Sequence, residues 1–203
     1  MEIINIMYNK HVETPSDIFE HLPTLREYAA KCGTVAEMGV RVPVSTWAFL
    51  RGLGDSTAPT KTLFCVDIEP VDMEIQKALA SHAGINFKFF HENSATVDFG
   101  TDVDLLFIDT WHVYGHLKRE LDFHHARVAK YIIMHDTTLD AVGGESLRCS
   151  LDVQEQAAKT GYSLAEICKG LEPALVEFLE AHPEWHLEAK YENCNGLTIL
   201  SRH

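Results

Sequence analysis

Two acids and two histidines carry the most chemistry in this sequence: Asp109, His112, His135 and Asp136. They fall in one stretch, DLLFIDTWHVYGHLKRELDFHHARVAKYIIMHDTT, residues 104–138. Two carboxylates brought side by side repel, and a hard divalent cation such as Mg²⁺ or Mn²⁺ resolves that repulsion. A neighbouring histidine can complete the metal shell or sit behind it, the two roles open to His135. It can also titrate near neutrality as a general base, the role expected of His112. The competing roles are structural: each acid could cap a following helix, as could His112. His116 follows His112 in HVYGH, which lacks the glutamate of HExxH, so a zinc-peptidase site is not expected. His124 and His125 read as solvated or packing residues.

These side chains need elements that bring them together. The runs Leu105–Ile108 and Tyr131–Met134 are short, apolar and rich in β-formers, and each leads into an acid, Asp109 and Asp136. Each reads as a buried parallel strand. Helix formers with a Leu117/Leu121 repeat lie between them and read as a crossover helix. Ligands of open parallel sheets bind outside the carboxyl ends of the strands, which places all four residues at one rim.

Upstream, Thr34–Met38, Thr62–Val66 and Ile85–Phe90 read as further strands. Helices are expected over Asp17–Lys31, with Ser16 as N-cap, over Trp47–Gly52 and over Asp72–Ala83. Residues 1–16 read as irregular. The turn Glu37-Met-Gly39-Val-Arg-Val-Pro-Val-Ser45-Thr46 joins a strand to a helix, and its glycine allows close backbone approach. It is neither GxGxxG nor a Walker loop, and a plain strand-to-helix turn is the alternative. Asp67 ends the second strand, where an acid can accept hydrogen bonds from ribose hydroxyls. A buried Glu37 requires a partner. Residues 137–148, TTLDAVGGESLR, read as a long loop over the rim, with Glu145 and Arg148 either substrate contacts or merely exposed. Helices are expected over Gln154–Ala158 and Leu175–Ala181. Trp185–Tyr191 and Leu197–Leu200, joined through Asn193-Cys-Asn-Gly196, read as an antiparallel hairpin. Trp47 and Trp185 read as core, and Trp111 and Tyr114 as stacking or packing residues.

The chain has 203 residues, 46% of them hydrophobic, which suits one α/β domain over residues 1–203, with 1–33 a helical extension packed on it. Its formal charge of −13, from 17 basic and 30 acidic residues, repels phosphate backbones, so nucleic acid is not expected as a partner. Five cysteines with no CxxC spacing read as free thiols in a reducing compartment. No apolar run approaches the roughly 20 residues needed to span a bilayer, and no secretory signal pattern opens the chain. A cytoplasmic location is expected.

Alternating strands and helices closed by an antiparallel hairpin resemble the class I S-adenosylmethionine-dependent methyltransferase fold. Glu37-x-Gly39 with Ser45-Thr46 resembles the first motif of that class, although Pro43 stands where a second glycine is usual. Asp67 matches its ribose-binding acid, and Asn93-Ser94 the pair beside the adenine. Ile108-Asp109-x-x-His112-x-Tyr114, with His135-Asp136-Thr137, is similar to the macrocin O-methyltransferase and cephalosporin-hydroxylase-like group. Gly170-Leu-Glu-Pro-Ala and Asn195-Gly196-Leu197-Thr198 resemble the methyltransferase modules of chlorovirus glycan-modifying enzymes, which would put the protein in host cytoplasm.

The resemblance implies a doubly wound, mostly parallel sheet and an O-methyltransferase acting on a hydroxyl of a sugar or glycan. It implies S-adenosylmethionine bound by Glu37, Gly39, Ser45, Thr46, Asp67, Asn93, Ser94, Asp109 and Trp111. A Mg²⁺ or Mn²⁺ ion would sit on Asp109, His135 and Asp136, with His112 and Asp109 catalytic. The alternatives are another small-molecule O-methyltransferase, a hydroxylase-like or nicotinamide enzyme on the same fold, and a non-catalytic scaffold. The oligomeric state is not legible.

Overall fold

A computed structural model describes residues 1–203. In chain order the elements are α1 (Glu2–Glu13), α2 (Leu22–Ala30), β1 (Thr34–Met38), α3 (Ser45–Asp55), β2 (Thr62–Asp67), α4 (Glu74–His82), β3 (Asn86–His91), β4 (Val103–Ile108) and α5 (Tyr114–His124). There follow β5 (Val128–His135), α6 (Glu145–Arg148), α7 (Val153–Thr160), α8 (Leu164–Cys168), α9 (Glu172–Ala181), β6 (Trp185–Tyr191) and β7 (Leu197–Arg202). The seven strands form one sheet in the order β3-β2-β1-β4-β5-β7-β6. The first five pair in parallel, and β7 pairs antiparallel with both β5 and β6. The expected doubly wound sheet with a closing hairpin is therefore observed.

Alternation along the strands divides the interior into two layers. Val35, Leu105, Phe107 and Ile133 point to one face, where they meet Ile4 and Tyr8 of α1, Leu22 and Leu25 of α2, Trp47 and Phe49 of α3, and Ala80 of α4. Ala36, Met38, Leu106, Ile108, Ile132 and Met134 point to the other, against Leu117 and Leu121 of α5 and Ala174 and Phe178 of α9. Helices after β1 and β2 thus cover one face, and the helix after β4 covers the other. The crevice where this direction reverses lies between the carboxyl ends of β1 and β4. Gly39 occupies that point with φ +87°, and a Cβ there would lie 1.9 Å from the Asp109 carbonyl oxygen. Only glycine lets the two strand ends approach so closely.

Two expectations at the N-terminus are corrected. Residues 1–16 are not irregular: α1 covers most of them, with Ile4 and Tyr8 buried. Isoleucine and asparagine are weak helix formers, and packing of one stripe against the core overrides that weakness. The next helix starts at Leu22 rather than Asp17, because Pro23 is tolerated only in a first turn. Ser16 caps nothing, and its hydroxyl is buried without a partner. The short helices α6 and α8 lie in segments that carried no legible period.

The burial of α1 has a direct test. Ile4→Ala should lower unfolding free energy by about 2–4 kcal/mol, the usual cost of emptying a buried isoleucine site. Ile6→Ala, on the exposed side, should stay within about 0.5 kcal/mol. Urea midpoints compare the two; equal values would detach α1 from the core.

Candidate active site

The carboxyl ends of β4 and β5 deliver Asp109 and Asp136 to one point. His112 enters from the short loop ahead of α5, and donor atoms of Asp109, His112 and Asp136 all lie within 4.8 Å of one another. His112 Nε2 is 3.1 Å from Asp109 Oδ1. Its Nδ1 lies 3.2 Å from Asp136 Oδ2, 3.5 Å from Asp140 Oδ2 and 3.6 Å from Glu145 Oε2. None of these three contacts is aligned as a hydrogen bond, so Nδ1 is buried and unpartnered, as is Asp136 Oδ1. Asp136 is held at φ +56°, a left-handed conformation that non-glycine residues seldom adopt and that clusters at functional sites.

His135 completes the group. Its Nδ1 lies 3.3 Å from Asp109 Oδ1 and 3.4 Å from Asp136 Oδ2. Its Nε2 is 3.0 Å from the Cys194 carbonyl, which can only accept, so Nε2 carries the proton. Nδ1 then faces two acids and must either hold a second proton or ligate a cation. Without a cation the proton wins. Burial lowers the His135 pKa, but Asp109 and Asp136 outweigh it and raise it to about 10. His112 is likewise raised well above its ordinary range, against burial, by Asp109, Asp140 and Asp136. Burial pushes the Asp109 carboxyl up, yet hydrogen bonds from both histidines hold it well below the usual carboxylate range.

A metal is chemically suited to this centre. Two carboxylates and two imidazoles form the donor set, two buried donor atoms are orphaned, and the far nitrogen of His135 is tied to a backbone carbonyl in the manner of metal-ligating histidines. The structure thus brings Asp109, His135 and Asp136 together as the sequence implied, and adds His112 to the same cluster.

The segment after β5 closes over this centre. Asp140 is fully buried and paired with Arg148 through two bonds, of 2.7 and 2.8 Å. Glu145 Oε2 accepts the His112 backbone N–H at 3.3 Å. Trp111 Nε1 donates to Ser146 Oγ at 3.0 Å, and its ring stacks on Tyr162 at 5.7 Å. Asp140 and Tyr162 carried no sequence signal, since a loop acid and a lone tyrosine read as surface groups. Their only clue was proximity to the long loop after Asp136.

On the other side of the crevice the expected cofactor residues are engaged with one another. Glu37 is fully buried, and its oxygens accept from Ser45 Oγ at 2.5 Å, Thr46 Oγ1 at 2.8 Å and Cys65 Sγ at 3.2 Å. Glu37 thus has three partners within the fold, and Ser45 and Thr46 spend their hydroxyls inward. Burial pushes the Glu37 carboxyl up to about 7, against those three donors. Asp67 Oδ2 accepts the backbone N–H groups of Val40 and Arg41, both at 2.8 Å, and so fixes the loop after β1. Ser94 is buried and bonded to His116 Nε2 at 3.1 Å, while Asn93 Oδ1 accepts the Ala95 N–H at 2.9 Å. A hollow of about 10 Å³ lies beside the acidic centre, lined by Trp111, His112, Glu120 and His135 among others. Small-molecule sites usually measure about 300–1,000 Å³, so a larger ligand would require its walls to part.

No family model matches the sequence, and no curated protein matches it. Solved structures do match in fold. An O-methyltransferase from Bacillus cereus in complex with SAH is similar with TM-score 0.56 and 12% identity, covering 100% of this chain and 90% of its own. The 1,6-didemethyltoxoflavin-N1-methyltransferase of Burkholderia thailandensis, with bound 1,6-didemethyltoxoflavin and S-adenosylhomocysteine, gives TM-score 0.60 and 12% identity over 99% and 86%. The N-methyltransferase NodS from Bradyrhizobium japonicum gives 0.51 and 10% over 90% and 93%. The chain therefore has the class I methyltransferase fold. No helix is long and apolar enough to cross a membrane.

The metal-free centre should be sensitive to alkali. A histidine whose pKa is raised on folding contributes stability that is fully present below about 6.5 and lost as pH rises through its folded value, about 10 for His135. In EDTA, the urea midpoint should fall steadily between those limits, and His135→Gln should flatten the slope. An unchanged slope would mean that His135 is neutral in the folded protein.

Proposed function

We propose that this protein is an S-adenosylmethionine-dependent O-methyltransferase using a divalent cation, Mg²⁺ or Mn²⁺, and acting on a hydroxyl of a sugar or glycan. The observation that carries the reading is the convergence of Asp109, His112, His135 and Asp136, with orphaned donor atoms on His112 and Asp136, at the switch-point rim of a methyltransferase fold. Both N- and O-methyltransferases share this fold, so the acceptor atom is argued from the acid-rich centre. Paired carboxylates and imidazoles suit a cation that binds and acidifies a hydroxyl, a service an amine does not need.

The cofactor would lie across the Gly39–Val44 loop. Asp67 would shape that loop and reach the ribose, Asn93 and Ser94 would flank the adenine, and Trp111 and Asp109 would border the transferred methyl. When bound, S-adenosylmethionine supplies an electrophilic methyl on a sulfonium, and the cation supplies positive charge at the acceptor oxygen. Glu37, Ser45 and Thr46 form the rigid floor beneath. Asp109, Asp136 and His135 would hold the cation. His112 would accept the hydroxyl proton on Nδ1 as the new C–O bond forms and the C–S bond of the sulfonium breaks. The buried walls exclude water that would compete for the methyl group.

The macrocin and cephalosporin-hydroxylase-like motif and the C-terminal motifs favour a natural-product or surface-glycan acceptor, of the kind carried by chlorovirus enzymes. The five free cysteines favour a reducing, cytoplasmic setting.

Calorimetric titration with S-adenosylmethionine, with and without Mn²⁺, is the primary test; absence of binding in both would overturn the reading. Asp67→Ala should weaken cofactor binding by about 1–3 kcal/mol. Asp136→Asn should abolish metal-dependent transfer to sugar acceptors with cofactor affinity nearly intact. His112→Gln should lower kcat about 10²–10⁴-fold and remove the acidic limb of the rate–pH profile. If His112→Gln instead lost metal affinity and kept the limb, His112 would be a ligand rather than the base.

A further inference from the structure

We propose that His125, His182 and Glu184 form a second metal site, suited to zinc(II), that clips the α5–β5 turn to the α9–β6 turn. Donor atoms of the three residues all lie within 4.8 Å of one another. His182 Nδ1 is 3.6 Å from Glu184 Oε1, and His125 Nδ1 is 4.0 Å from the same oxygen. These separations exceed hydrogen-bond length, so three donors face one another with nothing joining them. His125 Nδ1 is itself buried without a partner. Tetrahedral zinc with ligands at about 2.0–2.2 Å sets donor–donor edges of roughly 3.4 Å, so small side-chain movements would complete the shell.

The backbone around the three residues is already fixed. The His182 N–H donates to the Phe178 carbonyl at 2.9 Å, the Trp185 N–H to the His182 carbonyl at 2.9 Å, and the His203 N–H to the Glu184 carbonyl at 3.0 Å. Arg202 Nη1 donates to the Val128 carbonyl at 2.8 Å and the His125 carbonyl at 3.4 Å, which ties the strand hairpin to the α5–β5 turn. The Phe178 ring walls one side, 5.6 Å from His125 and 4.7 Å from His182, and the two imidazoles lie 4.0 Å apart.

Two imidazoles and one carboxylate favour a borderline transition-metal ion over Mg²⁺ or Ca²⁺, which prefer oxygen shells. The site stands at the opposite end of β5 from His135, a strand of eight residues and so roughly 25 Å long. It is thus distinct from the rim centre and does not depend on how that centre functions. Its effect would be structural, because it joins the end of α5, whose start follows His112, to the hairpin that closes the sheet.

Zinc titration of the wild-type protein, His182→Ala and Glu184→Gln tests the site by calorimetry and thermal unfolding. Both variants should fold as the wild type without metal, bind one fewer zinc ion, and lose part of the zinc-dependent rise in Tm. Equal stoichiometry and an equal rise in all three would overturn the proposal. Imidazole ¹⁵N spectra of the wild type decide independently of whether the variants fold. Zinc should shift the His125 and His182 resonances, and shifts confined to His112 and His135 would overturn it.

Discussion

Buried negative charge is the constraint on which the rest of this structure depends. Asp109, Asp136, Asp140 and Glu145 surround His112, and the two best shielded, Asp140 and Asp136, are 0% and 6% exposed. Uncompensated carboxylates at such depth are prohibitively costly. Arg148 answers Asp140, and His112 and His135 answer Asp109. Asp136 Oδ1 remains unanswered. Protonated histidines supply the positive charge that this geometry demands, and under the proposed function a divalent cation would supply it instead.

The arrangement needs the backbone as much as the side chains. Asp109 reaches the rim only because β4 passes Gly39 at a distance no side chain would permit. The Asp109 N–H donates to the Met38 carbonyl, and the Gly39 N–H to the Val66 carbonyl, both at 2.9 Å. Three strand ends are thus locked together. Asp67, capping the turn at Val40 and Arg41, extends the lock to the loop proposed to hold the cofactor. Glu37 works from below, anchoring the first residues of α3 through Ser45 and Thr46.

The sheet was legible because its strands are short apolar runs ending in acids, so Thr34–Met38 and the strand before Asp109 were located almost residue by residue. The rim followed from strand order alone. Local pattern failed where long-range packing decides. Nothing near Ile4 announces that it will meet α3, and nothing near Asp140 announces Arg148 and His112. Glu37 shows a subtler case. Its burial demands partners, and hydroxyls eight and nine residues along the same chain supply them.

The closing segment is where the rim's charge balance meets access. Arg148 sits on α6 with an exposed guanidinium, yet it is the group that neutralises fully buried Asp140. Trp111 is fastened to the same short helix through Ser146, and Tyr162 stacks behind it. Parting α6 from the sheet would therefore strip Asp140 of its counter-ion and leave His112 the nearest positive charge. The small hollow beside Trp111 and the pairing of Arg148 with Asp140 are two consequences of one closed segment. Under the proposed function, any acceptor larger than that hollow must offset the cost of uncovering Asp140, which makes entry to the centre an electrostatic event as well as a steric one.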